Sequence, residues 1–147
     1  SIEYKFNTKG ILINFPYNDE WTDIENAEAF HAIEHALISI SQTIIGASLS
    51  DMGGVSFPTG HIYIYDAFPG GSGLSYQLYN DIVTALKRAY RLVNECNCID
   101  GCPKCIYSPY CGNNNMILSR KRARYVLNEV LMRKVRIIDS YRIIWIE

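Results

Sequence analysis

All five cysteines of the chain lie between Cys96 and Cys111, in the run Cys96-Asn97-Cys98-Ile99-Asp100-Gly101-Cys102-Pro103-Lys104-Cys105 and then Cys111-Gly112-Asn113. A disulfide framework stabilises by closing long loops, and thiols bunched this tightly close almost none. Metal ligation suits the spacing better, because a tight turn lets two sulfurs reach one ion. Cys102-Pro103-Lys104-Cys105 is such a turn, with Pro103 presetting the backbone. Cys98 precedes it and Cys111 follows it, while Gly101 and Gly112 free the chain to wrap. The expected ligands of one zinc ion per chain are therefore Cys98, Cys102, Cys105 and Cys111, with Cys96 as the alternate. Four protein ligands leave no open position, so this zinc is expected to be structural. An iron–sulfur cluster is the other cofactor that four close cysteines suit. Reduced, metal-bound thiols imply an intracellular, cytoplasmic setting.

A second motif points to different chemistry. His31-Ala32-Ile33-Glu34-His35 matches the H-x-x-E-H pattern of inverted zinc peptidases, with two imidazoles one helical turn apart and a carboxylate beside them. Such a site needs a third ligand, usually a later acidic residue. Asp81, Glu95 and Glu129 are the helical candidates, and none sits in a recognisable second motif. The favoured reading is that His31, Glu34 and His35 are structural or interface residues, hydrogen-bonded to groups such as Asp51 or Asp66.

Pro69-Gly70-Gly71-Ser72-Gly73 follows an expected strand and opens an expected helix, a place where backbone amides can hold a phosphate. It lacks both the Gly-Lys-Ser/Thr ending of a P-loop and the G-x-G-x-x-G spacing of a dinucleotide fold. Gly70 and Gly71 are therefore read mainly as structural, with a phosphate contact left open. Ser119-Arg120-Lys121-Arg122-Ala123-Arg124 places four cations in five helical positions just after the cysteines. Arg120, Lys121, Arg122 and Arg124 with Lys104, and with Tyr107, Tyr110 and Asn113-Asn114-Asn115 nearby, could form a charged and stacking surface for nucleic acid.

These residues must be positioned by the elements around them. Tyr4 to Phe15 reads as two short strands around a Lys9-Gly10 turn. Asp23 is the expected N-cap of a long helix from about Ile24 to Ile45, apolar nearly all round and so central. Gly46 to Thr59 reads as a loop, and His61 to Asp66 as a β-branched and aromatic strand. A second helix is expected over about Leu74 to Glu95. A third, basic helix covers about Leu118 to Arg133, and a hairpin over 134–147 turns at Asp139-Ser140. The pattern predicts an α+β fold: a small sheet packed with three main helices, and the zinc loop between the second and third.

The chain has 147 residues, of which 48% are hydrophobic and 20% charged, enough for one folded domain over 1–147. Fourteen Lys and Arg against fifteen Asp and Glu give a net charge of −1. That average conceals an acidic front and a basic tail. Residues 1–50 carry two cations and seven anions, and residues 101–147 carry nine cations and three anions. No apolar run approaches the length of a membrane span.

Taken in order, Phe30 to Ile38 with the His-x-x-Glu-His element, Asp51-Met52-Gly53-Gly54, Ile62 to Asp66 with the Pro-Gly-Gly-Ser-Gly turn, and Cys98 through Cys111-Gly112-Asn113 resemble the DUF1998 domain. This family, also called the MrfA-type zinc-binding (MZB) domain, typically sits at the C-terminus of DEAD/DEAH-box superfamily 2 helicases. The resemblance covers about residues 4 to 131 and excludes the C-terminal hairpin. It implies an accessory module with one four-cysteine zinc, attached to or partnering an ATP-dependent DNA-translocating motor, with DNA as a partner and roles in DNA repair or antiphage defence. The family often has a cysteine at the Cys96 position, so the choice of four ligands stays open. It shares the His-x-x-Glu-His element without being a known peptidase. No Walker A or Asp-Glu-x-His motif occurs here, so this chain is expected not to be an enzyme by itself. The alternatives are a zinc peptidase built on His31, Glu34 and His35, and a protein-docking module with no nucleic-acid contact.

Overall fold

A 22-residue helix, α1 (Asp23–Ile44), organises the molecule. Thr22 caps it in a reciprocal box: the Glu25 amide donates to the Thr22 hydroxyl, and the Thr22 amide donates to the Glu25 carboxylate. The cap thus falls one residue before the expected Asp23, because only Thr22 has an acidic residue three positions on. Ala29, Phe30, Ala32, Ile33, Ala36 and Leu37 are fully buried, so α1 is covered on opposite sides, as its apolar circumference requires. The sheet packs on one flank and two helices on the other.

The protein is described by a computed structural model over residues 7–133, 135–138 and 143–146. Its strands are β1 (Gly10–Asn14), β2 (Met52–Ser56), β3 (His61–Asp66), β4 (Val135–Ile138) and β5 (Ile143–Ile146). Together they form one mixed sheet in the order β2-β3-β1-β5-β4. Every pair is antiparallel except β1 with β5. Alternation places Ile62, Ile64 and Asp66 of β3 inward, while Tyr63 and Tyr65 stack on the other face. The remaining helices are α2 (Leu74–Asn80), α3 (Ile82–Glu95) and α4 (Arg120–Leu131). Among the described residues, no helix is long and apolar enough to cross a membrane.

The α+β architecture stands, with four differences in detail. Gly10 begins β1 and is not a turn residue; the limb expected at Tyr4–Phe6 lies outside the described residues, as does the Asp139-Ser140 turn. The expected loop 46–59 contains β2, hidden in the sequence by Gly53-Gly54. Those glycines admit close approach by side chains: a Cβ on Gly54 would lie 2.8 Å from the Glu34 side chain, and one on Gly53 2.6 Å from the Tyr65 ring. The single helix expected over 74–95 is two, broken at Asp81. Asn80 and Asp81 are poor helix-interior residues, since their short polar side chains compete for backbone groups. Finally, the hairpin is built into the same sheet, with Ile144 fully buried.

Candidate metal centre

The cysteine loop begins where α3 ends. Cys96 caps the helix in extended conformation, and the chain doubles back through Cys98 to the Cys102–Cys105 turn. There the amides of Cys105 and Tyr107 both donate to the Cys102 carbonyl at 3.1 Å. This folding brings together the sulfurs of Cys96, Cys98, Cys102 and Cys105, all within 4.8 Å of one another. Three separations are 3.5 Å (Cys96–Cys102), 3.7 Å (Cys98–Cys105) and 3.8 Å (Cys102–Cys105). Four sulfurs at the usual zinc–thiolate distance on a regular tetrahedron would be about 3.8 Å apart. The donor set fits a closed four-thiolate zinc site.

The cluster corrects the expected ligand set. Cys96, read as the alternate, takes the fourth place, and Cys111 does not join the other three. Its Sγ lies 3.7 Å from His31 Nε2, in a separate group. The physical reason is the turn after Cys105: Ile106 is buried in the core, so the chain beyond it leaves the cluster and crosses over α1.

Burial pushes the Cys105 thiol up to about 12 and also raises Cys98, while the backbone of Cys98 draws Cys96 down to about 7. A dication that displaces thiol protons and gathers the sulfurs is what this donor set accommodates. Zn2+ is the ion of this type of domain.

Arg120 clamps the loop to α4. Its guanidinium donates to the Val93 carbonyl at 2.8 Å and the Cys98 carbonyl at 2.9 Å, and the residue is only 5% exposed. Asp100 completes the clamp. Its carboxylate accepts from the Ser119 hydroxyl and the Lys121 amide, and its carbonyl accepts from the Arg120 amide. The expectation that Arg120 faces nucleic acid is therefore corrected: its charge is turned inward, beside the sulfurs. Arg122 is also engaged, pairing with Glu25 at 2.5 Å and lying over the Trp21 ring. Lys104, Lys121 and Arg124 are exposed, as are Lys87, Arg88 and Arg91 on α3, which the sequence reading passed over.

The turn after β3 is equally resolved. The buried Asp66 carboxylate accepts from the amides of Ser72, Gly73 and Ser75, at 3.0, 3.0 and 2.7 Å. The place where a phosphate would bind is filled by the protein's own carboxylate. Gly70 and Gly71 have positive φ and serve this turn. Asp51 fastens its own loop, accepting from the Ser48 amide. Neither aspartate reaches the histidines; His31 and His35 bond instead to the backbone carbonyls of Ile117 and Ile106. Burial lowers His35 to about 4, so its imidazole is neutral, and raises the Glu34 carboxyl to about 7.

A four-thiolate loop between packed helices, carried on a mixed sheet, defines a small zinc-binding module of α+β class. Sequence comparison names the family: a profile of the MrfA Zn-binding domain, MZB, matches residues 33–106, and the chain belongs to it. It is 36% identical over 110 residues to an uncharacterized protein of Methanocaldococcus jannaschii, covering 69% of this chain and 98% of that one. It is 26% identical over 145 residues to the ATP-dependent helicase HRQ1 of Saccharomyces cerevisiae, covering 85% of this chain and 14% of the helicase. In structure it resembles the DUF1998 helicase MrfA, solved bound to DNA, with a TM-score of 0.59 at 24% identity over 76% of this chain and 15% of that one. The chain spans nearly the whole length of the archaeal relative, but only 14% and 15% of the two helicases it matches.

Proposed function

We propose that this domain is a zinc-organised accessory module of an ATP-dependent superfamily 2 DNA helicase, in the same polypeptide or as a partner. It braces the motor and offers DNA a basic surface. Cys96, Cys98, Cys102 and Cys105 hold the zinc, and zinc fixes the loop that joins α3 to α4. Lys121 and Arg124 lie three positions apart on one face of α4, and Lys104 projects from the metal loop itself. The observation that carries this reading is the division of labour among the cations: Arg120 and Arg122 are engaged within the protein through their terminal guanidinium nitrogens, while Lys104, Lys121 and Arg124 are left exposed around the metal loop. Phosphate contacts would use those three side chains, and the exposed rings of Tyr107 and Tyr110 are available for stacking.

Fluorescence anisotropy on single-stranded and forked DNA over a salt series tests this. Binding should weaken with salt, and replacing Lys104, Lys121 and Arg124 by alanine should reduce the log–log slope by roughly 2 to 3, each lost phosphate contact removing about 0.7 to 0.9. Absence of binding at low salt, or an unchanged slope in the triple variant, would favour the protein-docking reading.

A further inference from the structure

His31, His35 and Cys111 form a group that the four-thiolate centre leaves unexplained. His31 and His35 stand one turn apart on α1, their rings edge-to-face at 4.5 Å. Cys111 comes from the loop that crosses over them, eighty positions along the chain from His31. The ligand atoms of all three lie within 4.8 Å of one another.

The hydrogen bonds on the far side of each ring settle which nitrogens are available. His31 Nδ1 is 2.9 Å from the Ile117 carbonyl, and His35 Nδ1 is 2.6 Å from the Ile106 carbonyl. A carbonyl can only accept, so each proton belongs on Nδ1, which leaves the Nε2 lone pairs unprotonated. That is the arrangement by which proteins orient metal-binding histidines, the outer N–H tied to a backbone oxygen and the inner nitrogen turned to the ion. Nitrogen and sulfur ligands on one tetrahedral zinc are about 3.6 Å apart. The observed separation of His31 Nε2 and Cys111 Sγ is 3.7 Å.

We infer that the chain carries a second zinc site, formed by His31 Nε2, His35 Nε2 and Cys111 Sγ, with its fourth position turned to the cleft that these residues line. The cleft measures about 610 Å³, and Glu34, Tyr65 and Tyr107 also line it. Three protein ligands in a cleft differ in kind from the closed thiolate centre, because they leave one position for water or an incoming ligand. The ion would also pin the 106–117 arc to α1. Besides buried Ile106 and the two histidine–carbonyl bonds to α1, that arc is held by turns and by the Asn115 side chain, which bonds the Ser108 amide and carbonyl, and Asn114, Asn115 and Ile117 hold positive φ within it. The third ligand that an acidic residue supplies in inverted peptidases is here a cysteine.

Metal counting tests the assignment on the whole 147-residue chain. Reduced, metal-free protein is titrated with Zn2+, dialysed, and analysed for bound metal; Co2+ is then used as a spectroscopic probe. The wild type should hold two ions. Cys111→Ala and His31→Ala should each hold one and keep the intense cobalt–thiolate absorption of the four-cysteine centre, while Cys102→Ser should lose that absorption. Cys111 is on a partly exposed loop, so its variant reads the site even where His31→Ala fails to fold. One ion in the wild type, or two ions retained in Cys111→Ala, would overturn the inference and leave a thiol hydrogen-bonded to an imidazole.

Discussion

The two sulfur-bearing groups of this protein are built in opposite ways. Cys96, Cys98, Cys102 and Cys105 lie within one turn-rich segment, and their approach is enforced by local geometry: the end of α3, a proline turn and an arginine clamp. His31, His35 and Cys111 come together only because α1 is central and the 106–117 arc is laid across it. One group makes its own surroundings, and the other is made by the whole fold. Loss of the first should therefore spread outward, whereas loss of the second should stay where it happens.

The largest expected effect is at the thiolate centre. Structural zinc sites contribute on the order of 10 kcal/mol of apparent binding energy to folding. Cys102→Ser, or chelation of the wild type, should abolish or sharply lower the cooperative melt followed by circular dichroism. A melt unchanged after verified metal removal would break the comparison at its root. Next comes Arg120→Ala, which leaves the Val93 and Cys98 carbonyls without their buried donor and should cost about 2 to 4 kcal/mol in denaturant unfolding. Arg120→Lys should recover little, because one ammonium cannot span both carbonyls as the planar fork does. Full recovery by lysine would show that charge beside the sulfurs matters more than the clamp.

Smaller and more local is Cys111→Ala. Compared in protein carrying only the four-cysteine zinc, its global stability should change by about 1 kcal/mol or less, while limited proteolysis within 106–117 of the fully loaded proteins is faster in the variant. A global collapse as large as that of Cys102→Ser would erase the distinction between the two groups. The smallest structural effect is expected at Lys121→Ala with Arg124→Ala, within about 0.5 kcal/mol of wild type, since both side chains are exposed. A larger loss of stability would mean that these cations serve the fold, as Arg120 does.

The same contrast explains what could be read from sequence. The helix over 23–44 is legible because its apolar run is long and carries few charges, and the strand over 61–66 because its residues are β-branched and aromatic. The zinc loop is legible because ligand spacing is a local property, and only the choice between Cys96 and Cys111 required the path of the chain after Ile106. Strand β2 was not legible, since Gly53 and Gly54 mark close approach by Tyr65 and Glu34, which no linear pattern reveals. Nor was the role of Arg120. In the run Arg120-Lys121-Arg122-Ala123-Arg124 nothing separates the inward cation from the outward ones until α4 is docked. The partnership of Cys111 with His31 belongs to the same class of long-range fact.

The pairing of β1 with β5 carries one further consequence, in the order of folding. Leu12 is matched with Ile143, so the centre of the sheet closes only across almost the whole described chain. The α3–loop–α4 unit, in contrast, closes over short separations. Contacts between distant segments require the costlier ordering of chain, and they tend to form late. We expect metal-loaded α3 and α4 to gain amide protection in pulse-labelled refolding before β1 and β5 do. Simultaneous protection of both would show instead that the sheet nucleates with the helices. Until that last pairing forms, the flank of β1 that receives β5 is an open edge able to accept another strand.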